Sequence, residues 1–202
     1  MKSIVFLVIA FFTIHEDCMS QTNIVPIDAY LSEVPSNSYF KDLFDEMNVF
    51  TGTWKYTAAN GEVLTIVLEK ETMVATRGHY EDLLVGAYTY EVNGTTLVNT
   101  LPYLEDTQIT GRAHPISGRT IVKSPTAVCD SCTSSERLFS LYFHDPERDY
   151  LSIKMVVRSI PNQNTPAKIW VKLYSYSGGM LPDANVPTVA RVPYGEYVLE
   201  KQ

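Results

Sequence analysis

The chain has 202 residues, of which 45% are apolar and 19% charged, and its formal net charge is −7. These proportions are typical of a single globular domain with a sizeable core. The acidic balance argues against nucleic acid or an anionic membrane surface as a partner, because binding either one requires an excess of Lys and Arg.

The N-terminus has the pattern of a secretory signal peptide. Lys2 precedes an almost unbroken apolar run over residues 4–14, which is too short for a membrane-spanning helix, since such a helix needs about 20 residues. We therefore assign residues 1–20 to a signal peptide cleaved after Ser20 and expect no membrane-spanning segment. The protein is thus predicted to be exported, to the periplasm or the extracellular space. A lipid anchor on Cys18 is the alternative, but the small residues that precede a lipidated cysteine are missing.

The first part of the mature chain is predicted to be extended and then helical. Residues 21–36 contain two prolines and no apolar period, which indicates an extended lead-in segment. Residues 39–50 show apolar side chains at spacings of three and four, and Asn37 or Ser38 can cap a short helix there. The apolar positions of this predicted helix are Phe40, Leu43, Phe44 and Met47.

Beyond residue 50 the apolar period changes to two, as in β-strands. Trp54 and Tyr56 share one face of the first strand, and Asn-Gly pairs at residues 60–61 and 93–94 predict tight hairpins. About ten strands with short connections and no helical crossover exclude a parallel α/β sheet and leave an antiparallel barrel or sandwich. The predicted strands are 51–57, 62–70, 73–79, 83–92, 95–101, 107–113, 119–124, 137–144, 150–159, 168–176 and 197–201.

Two patterns in the sequence resemble known families. Gly52-Thr53-Trp54 after a short helix resembles the G-x-W motif of lipocalins and calycins. That resemblance implies that Trp54 packs across the closed base of an up-and-down barrel, under a cation that follows the last strand, for which Lys201 is the candidate. The segments FTGTWKY, HYEDLLVGAYTYEVNG, LVNTLPYLED and VLEKQ resemble a group of small secreted proteins of Bacteroidota, especially flavobacteria, that has no assigned activity.

Together these resemblances imply the fold class. The expected domain is an all-β, antiparallel up-and-down lipocalin-like β-barrel over residues 37–202, preceded by the short N-terminal helix. The resemblances also imply export. They bring no mechanism, substrate or cofactor with them.

Two cysteines remain in the mature chain, Cys129 and Cys132, in a C-x-x-C arrangement. In an exported protein a local disulfide between them is the favoured interpretation. A redox-active pair would need a helix N-terminus, and zinc would need two further ligands at suitable spacing. The Ser- and Thr-rich surroundings favour neither alternative.

Motifs for chemistry are missing from the sequence. It contains no G-x-S-x-G nucleophile turn and no glycine-rich phosphate loop. His79, His114 and His144 are too widely spaced to mark a metal-binding helix. The neighbours Glu81 and Asp82 point to opposite faces of a strand, so we favour a structural role for them. We predict no catalytic residues, no metal and no cofactor, and an enzyme on this fold is the least favoured interpretation.

Two functions therefore stay open. The first is a barrel that binds a small apolar or amphipathic molecule in its interior. The alternative is a filled barrel that acts as a cell-envelope interaction or structural module without a small-molecule ligand, with residues 177–195 as a contact surface. The choice depends on which side chains point inward, which strand patterns alone do not determine. The hypothetical lining residues are Trp54, Tyr56, Tyr88 and Tyr90.

Overall fold

The fold is that of a computed structural model, which describes residues 22–161, 166–176 and 185–202. The predicted signal peptide, residues 1–20, lies outside these ranges. Within them, eleven strands form one sheet. The strands are β1 (Ile24–Pro26), β2 (Tyr39–Lys41), β3 (Gly52–Thr57), β4 (Glu62–Thr76), β5 (His79–Val92), β6 (Thr95–Asn99), β7 (Ile116–Ile121), β8 (Phe139–Phe143), β9 (Ile153–Ile160), β10 (Lys168–Ser175) and β11 (Gly195–Lys201). The helical elements in the described ranges are α1 (Pro102–Glu105) and the 3₁₀ turns Leu31–Glu33, Asn48–Phe50, Gly111–Ala113 and Pro125–Ala127.

Eight of these strands close into an antiparallel barrel. Going around the barrel the order is β3, β4, β5, β7, β8, β9, β10 and β11, and β11 pairs back onto β3 with Lys201 opposite Trp54. Strand β6 extends beside the upper part of β5, while β1 and β2 add parallel pairs at the lower end of β5. The predicted all-β, antiparallel up-and-down architecture is thereby confirmed. We call the end that holds Trp54 the base, and the end that holds the β3–β4 and β5–β6 hairpins the top.

Inward-facing side chains from all eight strands form one apolar cluster inside the barrel. On β4, for example, Leu64, Ile66 and Leu68 are fully buried. Gly86 on β5 lies close against β4, because a Cβ atom there would collide with the carbonyl oxygen of Val67. The inner apolar cluster includes Trp54, Leu64, Ile66, Leu68, Leu84, Tyr88, Ile116, Phe139, Leu141, Phe143, Met155, Val157, Ile169, Val171, Leu173, Tyr197 and Leu199.

The structure corrects the predicted helix over residues 39–50. This segment forms β2, a series of turns and the 3₁₀ turn Asn48–Phe50. The carboxylate of Asp42 accepts the backbone N–H groups of Glu46 and Met47, so a side chain satisfies donors that a helix would have satisfied with carbonyl groups. Only half of the expected apolar face is buried. Phe40 and Met47 are buried, whereas Leu43 and Phe44 are exposed.

Three of the predicted strands also differ from the observed ones. The predicted strands 62–70 and 73–79 are largely one long strand, β4, whose pairing with β5 is interrupted by a bulge between Glu71 and Val74. Residues 107–113 are not a strand and end in the 3₁₀ turn Gly111–Ala113. The described helices are too short and not apolar enough to cross a membrane.

Candidate functional site

The G-T-W motif closes the base of the barrel. The Trp54 ring is buried, and its indole N–H donates to the carbonyl oxygen of Phe50 at 2.7 Å. Lys201 Nζ lies 5.3 Å from the ring centroid, which is within the range of a cation–π interaction. Gly52 has φ +117°, and a Cβ atom there would lie 3.0 Å from Lys201 Cε. The glycine therefore makes room for the lysine that covers the tryptophan.

The predicted lining tyrosines lie in the upper half of the barrel. The Tyr88 ring stacks on Phe143 with 4.3 Å between centroids, and its hydroxyl donates to the carbonyl oxygen of His144 at 2.9 Å. Burial, and then the negative charge of Asp145, raise the pKa of the Tyr88 hydroxyl. Tyr56, which is partly buried, makes an edge contact with Tyr197. Tyr90 is almost fully buried. Tyr88 and Tyr90 are thus part of the inner apolar cluster, and Tyr56 packs against it.

The described part of the β10–β11 connection covers the top. Ala190 and Val192 are buried in the same apolar cluster as the barrel interior. Between them, Arg191 donates through its backbone N–H and its Nε to the buried carboxylate of Asp145, both at 2.9 Å. Burial alone would raise the pKa of Asp145, but the hydrogen bonds and charge of Arg191 outweigh it, so that pKa is lowered. Of the predicted contact surface at 177–195, residues 177–184 lie outside the described ranges.

Glu81 and Asp82, on opposite faces of β5, hold the segment that begins with β2 against the barrel. Glu81 is fully buried and accepts from Arg112 Nε at 2.8 Å and from Arg119 Nε at 2.5 Å. Burial would raise the pKa of Glu81, but the hydrogen bonds and charges of the two arginines lower it overall. The Arg119 guanidinium also lies 4.2 Å from the ring centroid of Phe40 on β2. This arrangement fits the structural role expected for the acidic pair.

On the other face, Asp82 is the centre of a polar cluster. Its carboxylate accepts from the Tyr39 hydroxyl and from the backbone N–H groups of Asp42 and Met73. Asp42 in turn forms an ion pair with Lys70 at 2.9 Å. Each of these groups has a partner, so the cluster holds residues 39–47 against β4 and β5 and presents no free polar group to a ligand.

A groove of about 760 Å³ lies on the outer wall beside β7 and β8. At its edge the imidazole of His114 is almost fully buried, and its Nε2 lies 2.8 Å from a carboxylate oxygen of Glu71. The same carboxylate accepts the backbone N–H of Gly111 at 2.8 Å. The Nδ1 atom of His114 is buried and has no hydrogen-bond partner in the described chain. The lining residues are Arg112, Ala113, His114, Pro115, Ser117, Thr120, Tyr142 and His144.

Sequence reasoning missed this groove. It treated the histidines as scattered, because His114 and His144 are 30 positions apart, and no spacing motif links them. The pairing of β7 with β8 brings them to one place, since Ile116 pairs with Phe143 next to them. The one available signal was the short stretch Arg112–Ala113–His114, which combines two cationic or titratable side chains.

The two cysteines lie outside the barrel, on the face of the sheet that points away from the core. Cys129 and Cys132 are joined in a disulfide and pack with Leu138 against Trp170, on the outer face of β9 and β10. The connection between β7 and β8 thus covers this face, with Arg158 placed 5.5 Å from the Trp170 ring centroid. This explains why Trp170 sits on the otherwise polar face of its strand.

The described residues hold no group of three or more His, Cys, Asp or Glu side chains arranged to bind a metal ion. The strand order and the buried inward side chains define the class of protein, a closed eight-stranded antiparallel barrel. The chain belongs to the family described as "Family of unknown function (DUF6705)", whose pattern matches residues 1–202. No curated protein and no solved structure matches the chain.

Proposed function

We propose that this protein is an exported, filled β-barrel that acts as an interaction or structural module of the cell envelope, and that it holds no small molecule in its interior. The observation that carries the proposal is the packing of the inner cluster. A barrel of eight strands is just wide enough to be filled by side chains or to hold one small ligand. Here Trp54 and Phe139 occupy the base, while Tyr88 and Tyr90 occupy the upper half, and all four are buried.

Two further observations support the proposal. The G-T-W motif with its covering lysine favours a lipocalin-like barrel over other eight-stranded barrels, because the base is closed in the way that the resemblance implies. Export is supported by the apolar run at 4–14 and by the disulfide between Cys129 and Cys132, since disulfides persist in oxidising compartments. An origin among Bacteroidota stays a prediction of the sequence resemblance.

Native mass spectrometry tests whether the interior holds a ligand. We expect the chain from Gln21 to Gln202, purified without detergent from an exporting host, to show only the polypeptide mass, two hydrogens below the value for free thiols. The reason is that the inward-facing aromatic rings are buried in one apolar cluster, and that Cys129 and Cys132, the two cysteines of residues 21–202, are paired. A reproducible extra mass that is released on denaturation would overturn the proposal in favour of a ligand-binding barrel.

A surface formed by residues 26–28 of the lead-in segment and residues 43–46 offers a protein partner apolar area to bury. Phe44 is 80% exposed and lies with Leu43, Pro26 and Ile27 around a shallow cavity of about 250 Å³. Arg137 forms the polar edge of this cavity through ion pairs with Asp28 and Glu46. An apolar centre with a charged rim is the usual composition of a protein–protein interface.

The interaction role is tested at this surface. We expect the immobilised chain to retain a defined partner from envelope extracts, and Phe44→Ser to reduce that partner at least about tenfold, because exposed aromatic anchors dominate interface energies. Val198→Ser, which changes another exposed apolar residue on β11, is the matched control and should leave capture unchanged. Equal capture by both variants, or none by the unaltered chain, would refute this surface as the contact site.

A further inference from the structure

We propose that the outer groove between the turn Gly111–Ala113 and the end of β8 is a binding site for a small molecule that carries an oxyanion, either a carboxylate or a phosphate. The groove faces away from the barrel interior, so this inference stands independently of whether the interior holds a ligand. Its volume, about 760 Å³, falls in the range of about 300–1,000 Å³ that is common for small-molecule sites.

The charge of the lining selects the ligand class. The protein carries a net charge of −7, yet the groove is lined by one guanidinium and two imidazoles and by no carboxylate. The carboxylates of Glu71 and Glu81 bond to His114 and Arg112 but do not line the groove. A ligand in the groove therefore meets the Arg112 guanidinium with no carboxylate among the lining residues, which favours a negative group.

Arg112 is held in position for a bidentate contact. Its Nε donates to Glu81 at 2.8 Å, which fixes the plane of the guanidinium, and its side chain is 41% exposed. A guanidinium that is held through Nε can present the two parallel N–H groups of Nη1 and Nη2 to a carboxylate or phosphate.

His114 provides the second, independent observation. Its side chain is 4% exposed, its Nε2 is bonded to Glu71, and its Nδ1 is the buried ring nitrogen without a partner. Buried polar atoms are nearly always hydrogen-bonded, and the exceptions often mark functional sites. Because Nε2 is bonded to Glu71, a neutral ring leaves Nδ1 as an acceptor, so an O–H group of the ligand, such as that of hydrogen phosphate or the citrate hydroxyl, would provide the missing partner. The hydroxyl groups of Thr120 and Tyr142 line the same groove and can bind the rest of the molecule.

Solution NMR tests this site with defined probes. The ¹⁵N-labelled chain, Gln21 to Gln202, is titrated with inorganic phosphate and separately with citrate, and sodium chloride at equal ionic strength is the reference. We expect saturable amide shifts at residues 111–120 and 142–144 with at least one of the two anions, and none with chloride. Saturation with phosphate alone would assign a phosphate ligand, with citrate alone a carboxylate ligand, and with both a general oxyanion site.

Two variants make the test specific. Arg112→Lys keeps the positive charge beside Glu81 but loses the two-pronged donor, so the affinity should fall about tenfold. Lys55→Gln removes a charge from a different groove, which Lys168 and Glu200 also line, and should change nothing. The proposal is overturned if neither anion gives saturable shifts, if the shifts map to the Lys55 groove, or if Arg112→Lys binds as tightly as the unaltered chain.

Discussion

Replacing Trp54 with alanine is expected to lower the free energy of unfolding by about 3–5 kcal/mol, which is the range for removal of a large buried aromatic side chain. The ring is 1% exposed and closes the base between Phe50 and Lys201. Its loss would leave a cavity, because the rigid strand β3 cannot move inward to fill the space. The total free energy of unfolding of a small domain is about 5–15 kcal/mol, so this one substitution would remove a large part of it.

Urea unfolding followed by far-UV circular dichroism measures this effect without relying on tryptophan fluorescence. Trp54→Phe keeps most of the apolar area but loses the hydrogen bond to Phe50, so it should cost less than the alanine variant. Lys201→Met keeps the aliphatic stem and removes the cation, and the expected loss is about 0.5–1 kcal/mol. A loss below about 1 kcal/mol for Trp54→Ala would contradict the assignment of this residue as the closure of the base.

Glu81→Gln is expected to lower the free energy of unfolding at neutral pH by about 3 kcal/mol, because it leaves two arginines without their shared buried carboxylate. Arg119 is the more affected partner, since its side chain is only 15% exposed. The substitution preserves the shape of the side chain and removes the negative charge. Restoring the charge with Glu81→Asp should recover part of the loss if the shorter side chain still reaches one arginine.

The same residue should contribute to stability in a pH-dependent way. The pKa of Glu81 is lowered in the folded state from its ordinary value of 4.5, because Arg112 and Arg119 outweigh the effect of burial. Its contribution is therefore fully present above pH 4.5 and is lost as the pH falls below that value through the folded-state pKa. The lowered pKa values of Asp42 and Asp145 act in the same direction.

Urea midpoints measured between pH 7 and pH 3 follow this effect. The unaltered chain should lose stability below pH 4.5, and Glu81→Gln should lose less over that interval because one of the responsible carboxyls is gone. Glu105→Gln, which changes an exposed residue at the end of α1, is the control and should follow the unaltered chain. If the urea midpoints of all three proteins fell in parallel as the pH is lowered, the ionised carboxylate of Glu81 would not be what holds the two arginines.

The strand architecture was largely determined by the sequence, because hairpins and alternation are local properties. The Asn-Gly pairs at 60–61 and 93–94 mark the β3–β4 and β5–β6 turns, and Asn93 and Gly94 have the positive φ angles that such a turn requires. The period of two placed most strands within a few residues. The contact between Trp54 and Lys201 was predictable only through the resemblance of the motif.

Other features were decided by the tertiary structure. The spacing of apolar residues at 39–50 is that of a helix, but the buried carboxylates of Asp42 and Asp82 bind the backbone there and favour turns. Asp82 reaches this backbone across 40 positions and Asp42 is paired with Lys70 across 28, and no local pattern contains such contacts.

The packing of the interior and the grouping of side chains around the outer groove also depend on contacts between residues far apart in the chain. Alternation along a strand defines two faces, but closure of the barrel decides which face is enclosed and how much of the enclosed volume the side chains occupy. The groove joins Arg112 and His114 to Tyr142 and His144 only because β7 pairs with β8. The sequence by itself thus determined the strands and their turns, which are local. Closure of the barrel, the packing of its interior and the grouping of polar side chains depended on the register between strands that lie far apart in the chain.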